Sequence, residues 1–305
     1  MLKLDKILNY VIKENQFYQT RTIEKKDYSI SDFLVLKRID LQNNNKGMFS
    51  NTYESKYYNQ QLLRQSSSGS SGIPVSVFWD YKDWYISNLS LWRKRKSWYN
   101  IFPSDKKVIF TMNSYNMLEK NNNLIYMIEK NILSINISNL EIEEQFLRLI
   151  EIINEFNPIW FYIQPLFLEK LLYMYVKYNL KVPTNLKYIE SVGEILPKKL
   201  QNRASNFFGV PVVNMYGSEE MNCIAYECPH HNMHILTDNV FVEVYNGTFQ
   251  TKGIGEAIIT NLNNYAMPLI RYEQGDIIEI LETKCMCGED TPIISSILGR
   301  KHEII

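Results

Sequence analysis

The chain has no apolar run long enough to cross a bilayer as a helix, so a helical membrane span is not expected. Nor does it carry excess charge: 33 basic residues face 33 acidic ones. A general nucleic-acid binder is usually basic, so neither nucleic acid nor membrane is expected as a partner. The first fifteen residues lack the apolar middle of an export leader, because Lys3, Asp5, Lys6, Lys13 and Glu14 interrupt them. A cytoplasmic, reducing location is the expectation, and disulfides among the four cysteines are not. There is no internal repeat. The sequence does not set the oligomeric state, and a dimer is compatible with it.

What is present suffices for a large core: 305 residues, 45% of them hydrophobic, enough for two subdomains. Leu4, Ile7, Leu8, Val11 and Ile12 recur at helical spacing and predict an amphipathic helix at the start. The one basic run, Arg93-Lys94-Arg95-Lys96, reads as a solvated helix face. Its functional alternative is a patch for a phosphate-bearing partner such as CoA.

From about residue 139 the pattern sharpens. Ile142, Phe146, Ile150, Ile153 and Phe156 mark one helix face, ending before Pro158. Pro165 and Pro197 are placed to open two more helices. Short apolar runs at 108–112, 159–163, 187–192 and 211–215 alternate with them. Strand, helix, strand at this spacing predicts right-handed crossovers and a parallel sheet. After residue 230 the texture changes to short strands, with a hairpin at Asn246-Gly247. The expectation is an α/β fold, a parallel sheet layered with helices over 1–230, plus a smaller β-rich subdomain over 231–305.

Three polar segments carry the chemistry. Ser66 to Gly72 is a run of hydroxyls and glycines of the kind that converges on an anion. The bland alternative is a flexible linker. It lacks the Gly-Lys-Ser/Thr of a Walker loop. Gly193-Glu194 and Tyr216-Gly217-Ser218-Glu219-Glu220 follow two of the strands, at the carboxyl ends where such sheets bind ligands.

These segments, with Arg271-Tyr272-Glu273-Gln274-Gly275-Asp276 and Gly299-Arg300, stand in the order found in adenylate-forming enzymes. Ala266-Met267-Pro268-Leu269-Ile270-Arg271-Tyr272 and Cys285-Met286-Cys287-Gly288 resemble the phenylacetate–CoA ligase and capsule-associated adenylation branch. The resemblance covers nearly the whole chain and implies the large N-terminal part of such an enzyme. It implies ATP-dependent activation of a small carboxylic acid, an aryl or arylacetic acid first, with transfer to CoA or an acyl-carrier protein.

Carried over by position, Ser67, Ser68, Gly69, Ser70, Ser71 and Gly72 would hold the ATP phosphates. Gly193 and Glu194 would lie against adenine, with Tyr216, Gly217 and Ser218 beside the base. Glu220 would bind magnesium, Asp276 would accept the ribose hydroxyls, and Arg300 would reach the ribose and phosphate side. Phe78, Trp79, Trp84 and the 159–163 strand are candidates to line the acid pocket, though such residues are more often plain core.

Two features depart from that pattern. Glu219 replaces the usual Thr or Ser, and a second carboxylate there repels phosphate. The chain ends at the family's hinge, with His302 where an Asp usually stands, and without the lid that carries a catalytic lysine. The expectation is a chain that binds nucleotide and acid but adenylates slowly. The rival expectation is a nucleotide-binding or scaffold protein that has lost catalysis.

Cys228, His234, Cys285 and Cys287 form two short clusters of soft ligands and predict a structural zinc site of three thiolates and one imidazole. His230 and His231 are alternative ligands. Cys223 reads as a buried apolar residue.

Overall fold

A computed structural model describes residues 2–66, 75–112, 119–121, 124–138, 140 and 142–301. The chain forms two compact units. One combines Met1–Arg93 with Gly217–Ile305, and the other is the intervening Lys94–Tyr216. The first unit thus holds both the N-terminal helices and the β-rich stretch that begins near residue 231. No described helix is long and apolar enough to cross a membrane.

The intervening unit is the expected α/β layer. Ile132–Asn136, Lys107–Thr111, Trp160–Ile163, Tyr188–Ser191 and Val212–Ser218 lie side by side in that order, all parallel. Leu124–Glu129 extends the sheet antiparallel beside Ile132–Asn136. Glu143–Phe156, Pro165–Lys177 and Lys198–Phe208 are the crossover helices. Pro165 occupies the first helical turn, where its missing N–H costs nothing. Asn157, with φ 49°, ends the helix before Pro158, and Gly209, with φ 69°, ends Lys198–Phe208. One sheet face (Val108, Phe110, Phe161, Ile163, Ile189) packs on the apolar faces of these helices.

The other face holds a charge. Arg95, in the middle of the basic run, is buried and donates to both oxygens of the buried Glu190. Its guanidinium also sits 5.2 Å from the Trp160 ring centroid. The run is therefore not a uniformly solvated helix face. Arg95 turns inward from Tyr81–Tyr99 and neutralises an acid in a strand.

In the first unit, Lys3–Glu14 buries Ile7, Leu8 and Val11 of the predicted stripe, with Leu4 and Ile12 half-buried beside them. They pack with Tyr18, Phe33, Leu262 and Ile270. Tyr18 donates its hydroxyl to the Pro268 carbonyl at 2.9 Å and accepts from the Ile270 N–H at 3.0 Å. Leu63–Ser66 pairs antiparallel with Ser76–Trp79, and Ser66 and Ser76 share a hydroxyl contact of 3.0 Å. Trp79 is sealed in the core, and Phe78 packs against Phe49 and Tyr57 with centroids 5.3 and 5.2 Å away.

The C-terminal strands of this unit are antiparallel. They run Phe249–Gln250, Val240–Tyr245, Gly253–Asn261, Tyr272–Leu281, Ile293–Arg300, Met233–Ile235, Asn222–Glu227 across the sheet. The Asn246-Gly247 hairpin is present, with Gly247 at φ 102°. The apolar run from Leu269 becomes strand only at Tyr272. Arg271, with φ 53°, breaks the extended backbone while its side chain grips Glu243 at 2.9 and 2.7 Å.

Candidate functional site

The strand Tyr272–Leu281 organises the site in the first unit. Its side chains alternate between buried and half-buried, so Tyr272, Gln274 and Asp276 share the buried face. Each reaches one of the residues singled out by sequence. Tyr272 donates its hydroxyl to Glu220 Oε1 at 3.3 Å. Gln274 accepts the Ser218 hydroxyl at 3.4 Å. Asp276 stands directly opposite Arg300 on the neighbouring strand, with Oδ1 3.2 Å from the guanidinium Nε. Arg300 also donates to the Gln274 carbonyl at 3.0 Å. Gly275, with φ 83°, permits the turn of backbone between them.

The Gly217-Ser218-Glu219-Glu220 segment approaches this face along a strand end. Val212–Ser218 runs through Gly217 and turns into the antiparallel strand Asn222–Glu227, not into a helix. Gly217 is required there: a Cβ would meet the Asn222 carbonyl oxygen at 2.4 Å. The Ser218 hydroxyl accepts the Met221 N–H at 3.2 Å and closes the turn. Glu220 is buried, and its carbonyl accepts from Asn261 Nδ2 at 3.3 Å. Arg38 brings a guanidinium to 3.7 Å from Glu220 Oε1.

Charge is concentrated at this turn. Desolvation first, and the neighbouring Glu220 second, hold the Glu219 carboxyl above its ordinary value. Burial, then the Glu220 charge, raises the Tyr272 hydroxyl, so it remains a donor at neutral pH. Glu220 thus has an oriented donor in Tyr272 and a nearby cation in Arg38.

In the other unit, Gly193 and Glu194 form an exposed bend after Tyr188–Ser191, with Gly193 at φ 82°. Tyr216 is half-buried near the end of Val212–Ser218. Ser67 to Gly72 and His302 lie outside the described residues.

A second cluster brings together the four soft side chains. The ligand atoms of Cys228, His234, Cys285 and Cys287 all lie within 4.8 Å of one another. Cys228 and Cys285 sulfurs are 3.8 Å apart, and Cys287 Sγ is 3.3 Å from His234 Nε2. A disulfide needs about 2.05 Å, so the first pair is not one. Four zinc bonds of about 2.3 Å at tetrahedral angles put sulfurs about 3.8 Å apart. His234 Nδ1 faces the Thr291 carbonyl and hydroxyl at 3.3 and 3.2 Å, which leaves Nε2 for the cluster. Asn232 donates to Cys285 Sγ at 3.2 Å. Burial pushes Cys228 up to about 12. At Cys285 burial acts upward too, but the Cys287 backbone N–H, His234 and Asn232 outweigh it and bring the thiol down to about 6. The donor set fits a closed zinc site. His231 is drawn instead to Glu227, at 2.8 Å, and His230 is exposed. Cys223 is fully buried, as expected.

Sequence reasoning missed Arg38, Asn261, Tyr272 and Gln274 as parts of the site. The alternation from Tyr272 to Asp276 was a usable signal for two of them. Arg38, from the short helix Arg38–Asn44, carried none.

No family model matches the chain. A stretch of 129 residues is 28% identical to a phenylacetate-coenzyme A ligase from Thermus thermophilus. That stretch is 40% of this chain and 29% of the relative, less than a third of its length. The solved structure of 2-hydroxyisobutyryl-CoA ligase, open and in complex with 2-HIB-AMP and CoA, superposes with a TM-score of 0.74 at 17% identity, over 98% of this chain and 73% of that one. A long-chain-fatty-acid-CoA ligase from Archaeoglobus fulgidus gives 0.52 at 14% identity, over 78% and 51%. The fold is that of the adenylate-forming CoA ligases.

Proposed function

We propose that this chain, with the fold of the CoA ligases, binds ATP and a small carboxylic acid for conversion to an acyl-adenylate, with CoA or a carrier-protein thiol as acceptor. The observation that carries the reading is the Asp276–Arg300 pair, held on neighbouring strands beside the turn that presents Glu220. Asp276 offers a carboxylate to the ribose diol, which gives it two charge-assisted hydrogen bonds. Arg300 supplies positive charge on the phosphate side. Glu220 offers a hard oxygen ligand suited to magnesium. Gly193, Glu194 and Tyr216 are assigned to the adenine, with Gly217 and Ser218 beside it, and Ser67 to Gly72 to the phosphates. Adenylation consists largely of positioning and charge neutralisation, which these residue types supply. Magnesium, when bound, neutralises the triphosphate charge. An aryl or arylacetic acid is the favoured substrate class, supported by the likeness to the phenylacetate ligase.

The cysteine–histidine cluster is assigned to a structural zinc ion, supported by its spacing and by the Thr291 contact to His234. With four protein ligands no position stays open for water, so its role is to tie loops together.

The test is calorimetric titration of the chain with AMP, and with ATP plus Mg²⁺, alongside Asp276→Ala. Binding by the parent chain that falls at least tenfold in the variant supports the reading. Absence of binding in both overturns it and favours a scaffold that kept only the fold.

A further inference from the structure

Glu220 is a buried carboxylate whose two oxygens are treated differently. Oε1 accepts the Tyr272 hydroxyl at 3.3 Å and lies 3.7 Å from Arg38 Nη1. Among the described residues, Oε2 takes neither a hydrogen bond nor an ion pair. Nor is it one of the fully buried side-chain atoms without a partner, so it keeps access to solvent and to an ion. We propose that Tyr272 and Arg38 are positioning residues for Glu220, fixing one carboxylate oxygen and leaving the other for a divalent cation. This rests on the adenylate reading above.

Three features of the surroundings make the arrangement directional. Tyr272 is fully buried in its strand, so its hydroxyl has one place to point. Asn261 holds the Glu220 backbone from its carbonyl side, so the side chain cannot shift as a unit. Leu36, two residues before Arg38, is bonded to this same strand: its N–H donates to the Arg271 carbonyl at 2.9 Å, and its carbonyl accepts the Glu273 N–H at 2.9 Å. Arg38 is therefore delivered by a backbone anchored on either side of Tyr272. Its charge offsets part of the repulsion between Glu219 and Glu220, so the turn can present a carboxylate without a cation already in place. Outer-shell partners of this kind orient a ligand oxygen and tune its affinity.

The experiment uses Mn²⁺ as the cation probe. Mn²⁺ is titrated into the chain with ATP and followed by electron paramagnetic resonance, and AMP alone is titrated by calorimetry. Parent, Tyr272→Phe, Arg38→Ala and Arg38→Lys are compared, each with a thermal melt. Tyr272→Phe and Arg38→Ala are expected to weaken Mn²⁺ in the ternary complex by about tenfold. AMP affinity should stay within about twofold, and Arg38→Lys should lie between Arg38→Ala and the parent. Equal Mn²⁺ affinity in the parent and Tyr272→Phe overturns this inference alone. Parallel loss of AMP and Mn²⁺ binding also overturns it, because that is the mark of a general structural role. A parent that binds neither AMP nor Mn²⁺–ATP overturns the adenylate reading, and this inference with it.

Discussion

Arg95 grips Glu190 with two prongs, Nε at 2.8 Å and Nη2 at 2.5 Å, and Tyr188 adds its hydroxyl to the same carboxylate at 2.8 Å. Both charged side chains are almost wholly buried. Removing one partner of a buried pair strands the other charge, at about 3–5 kcal/mol. Arg95→Ala should lower the unfolding free energy by that amount in denaturant melts. Lys96→Ala, next in sequence and exposed, should cost under about 0.5 kcal/mol, the range of ordinary surface changes.

Gly217 tolerates no side chain. Its Cβ would sit 2.4 Å from a backbone carbonyl that cannot rotate away. Gly217→Ala should destabilise by about 1–3 kcal/mol, the range for overpacking, and weaken AMP binding by shifting Ser218 and Glu220. Melts together with calorimetry check both effects.

Burial lifts Asp83 from an ordinary 3.8 to about 6, helped by nearby Asp80 and opposed by the Tyr265 N–H it accepts. The folded state then holds a proton that the unfolded chain has released between those two values. Folding stability therefore falls as pH rises from about 4 to about 6, and the loss is complete above that window. Asp83→Asn keeps an acceptor and removes the charge. It should stabilise the chain at pH 7.5 by about 1–2 kcal/mol, allowing for solvent screening, and by nothing at pH 3.5. Denaturant melts at the two pH values decide this.

Zinc at the cysteine cluster should appear as one equivalent per chain by elemental analysis. Chelation should lower the melting temperature, since a structural zinc contributes roughly 10 kcal/mol of folding energy. Cys285→Ser should lose the metal, whereas Cys223→Ser, at a residue outside the cluster, should retain it.

Much of the fold was legible where local chemistry and tertiary packing agree. Pro165, Asn157 before Pro158, and Asn246-Gly247 punctuate the chain in the structure as they do in the sequence. Of the five parallel strands, all but Ile132–Asn136 were readable as short apolar runs. The antiparallel strand Leu124–Glu129 was not, since it lies in an Asn-rich stretch with no strong alternation. The strand Tyr272–Leu281 begins only after Arg271, which leaves extended backbone and forms a buried ion pair with Glu243. At the site, Asp276 and Glu220 stood out through their motifs. Arg38 is 182 positions from Glu220 in sequence, and no spacing rule connects them.

The first unit is assembled from the two ends of the chain, with Lys94–Tyr216 between them. On the ribosome, that middle portion is complete while half of the first unit is still unmade. Domains generally fold as units during synthesis, so the middle one has the opportunity to fold first. The apolar stripe of Ile7, Leu8 and Val11 meets Leu262 and Ile270 only after some 250 further residues have been added. That helix is made long before Leu262 and Ile270, and in the interval its stripe lacks this part of its packing.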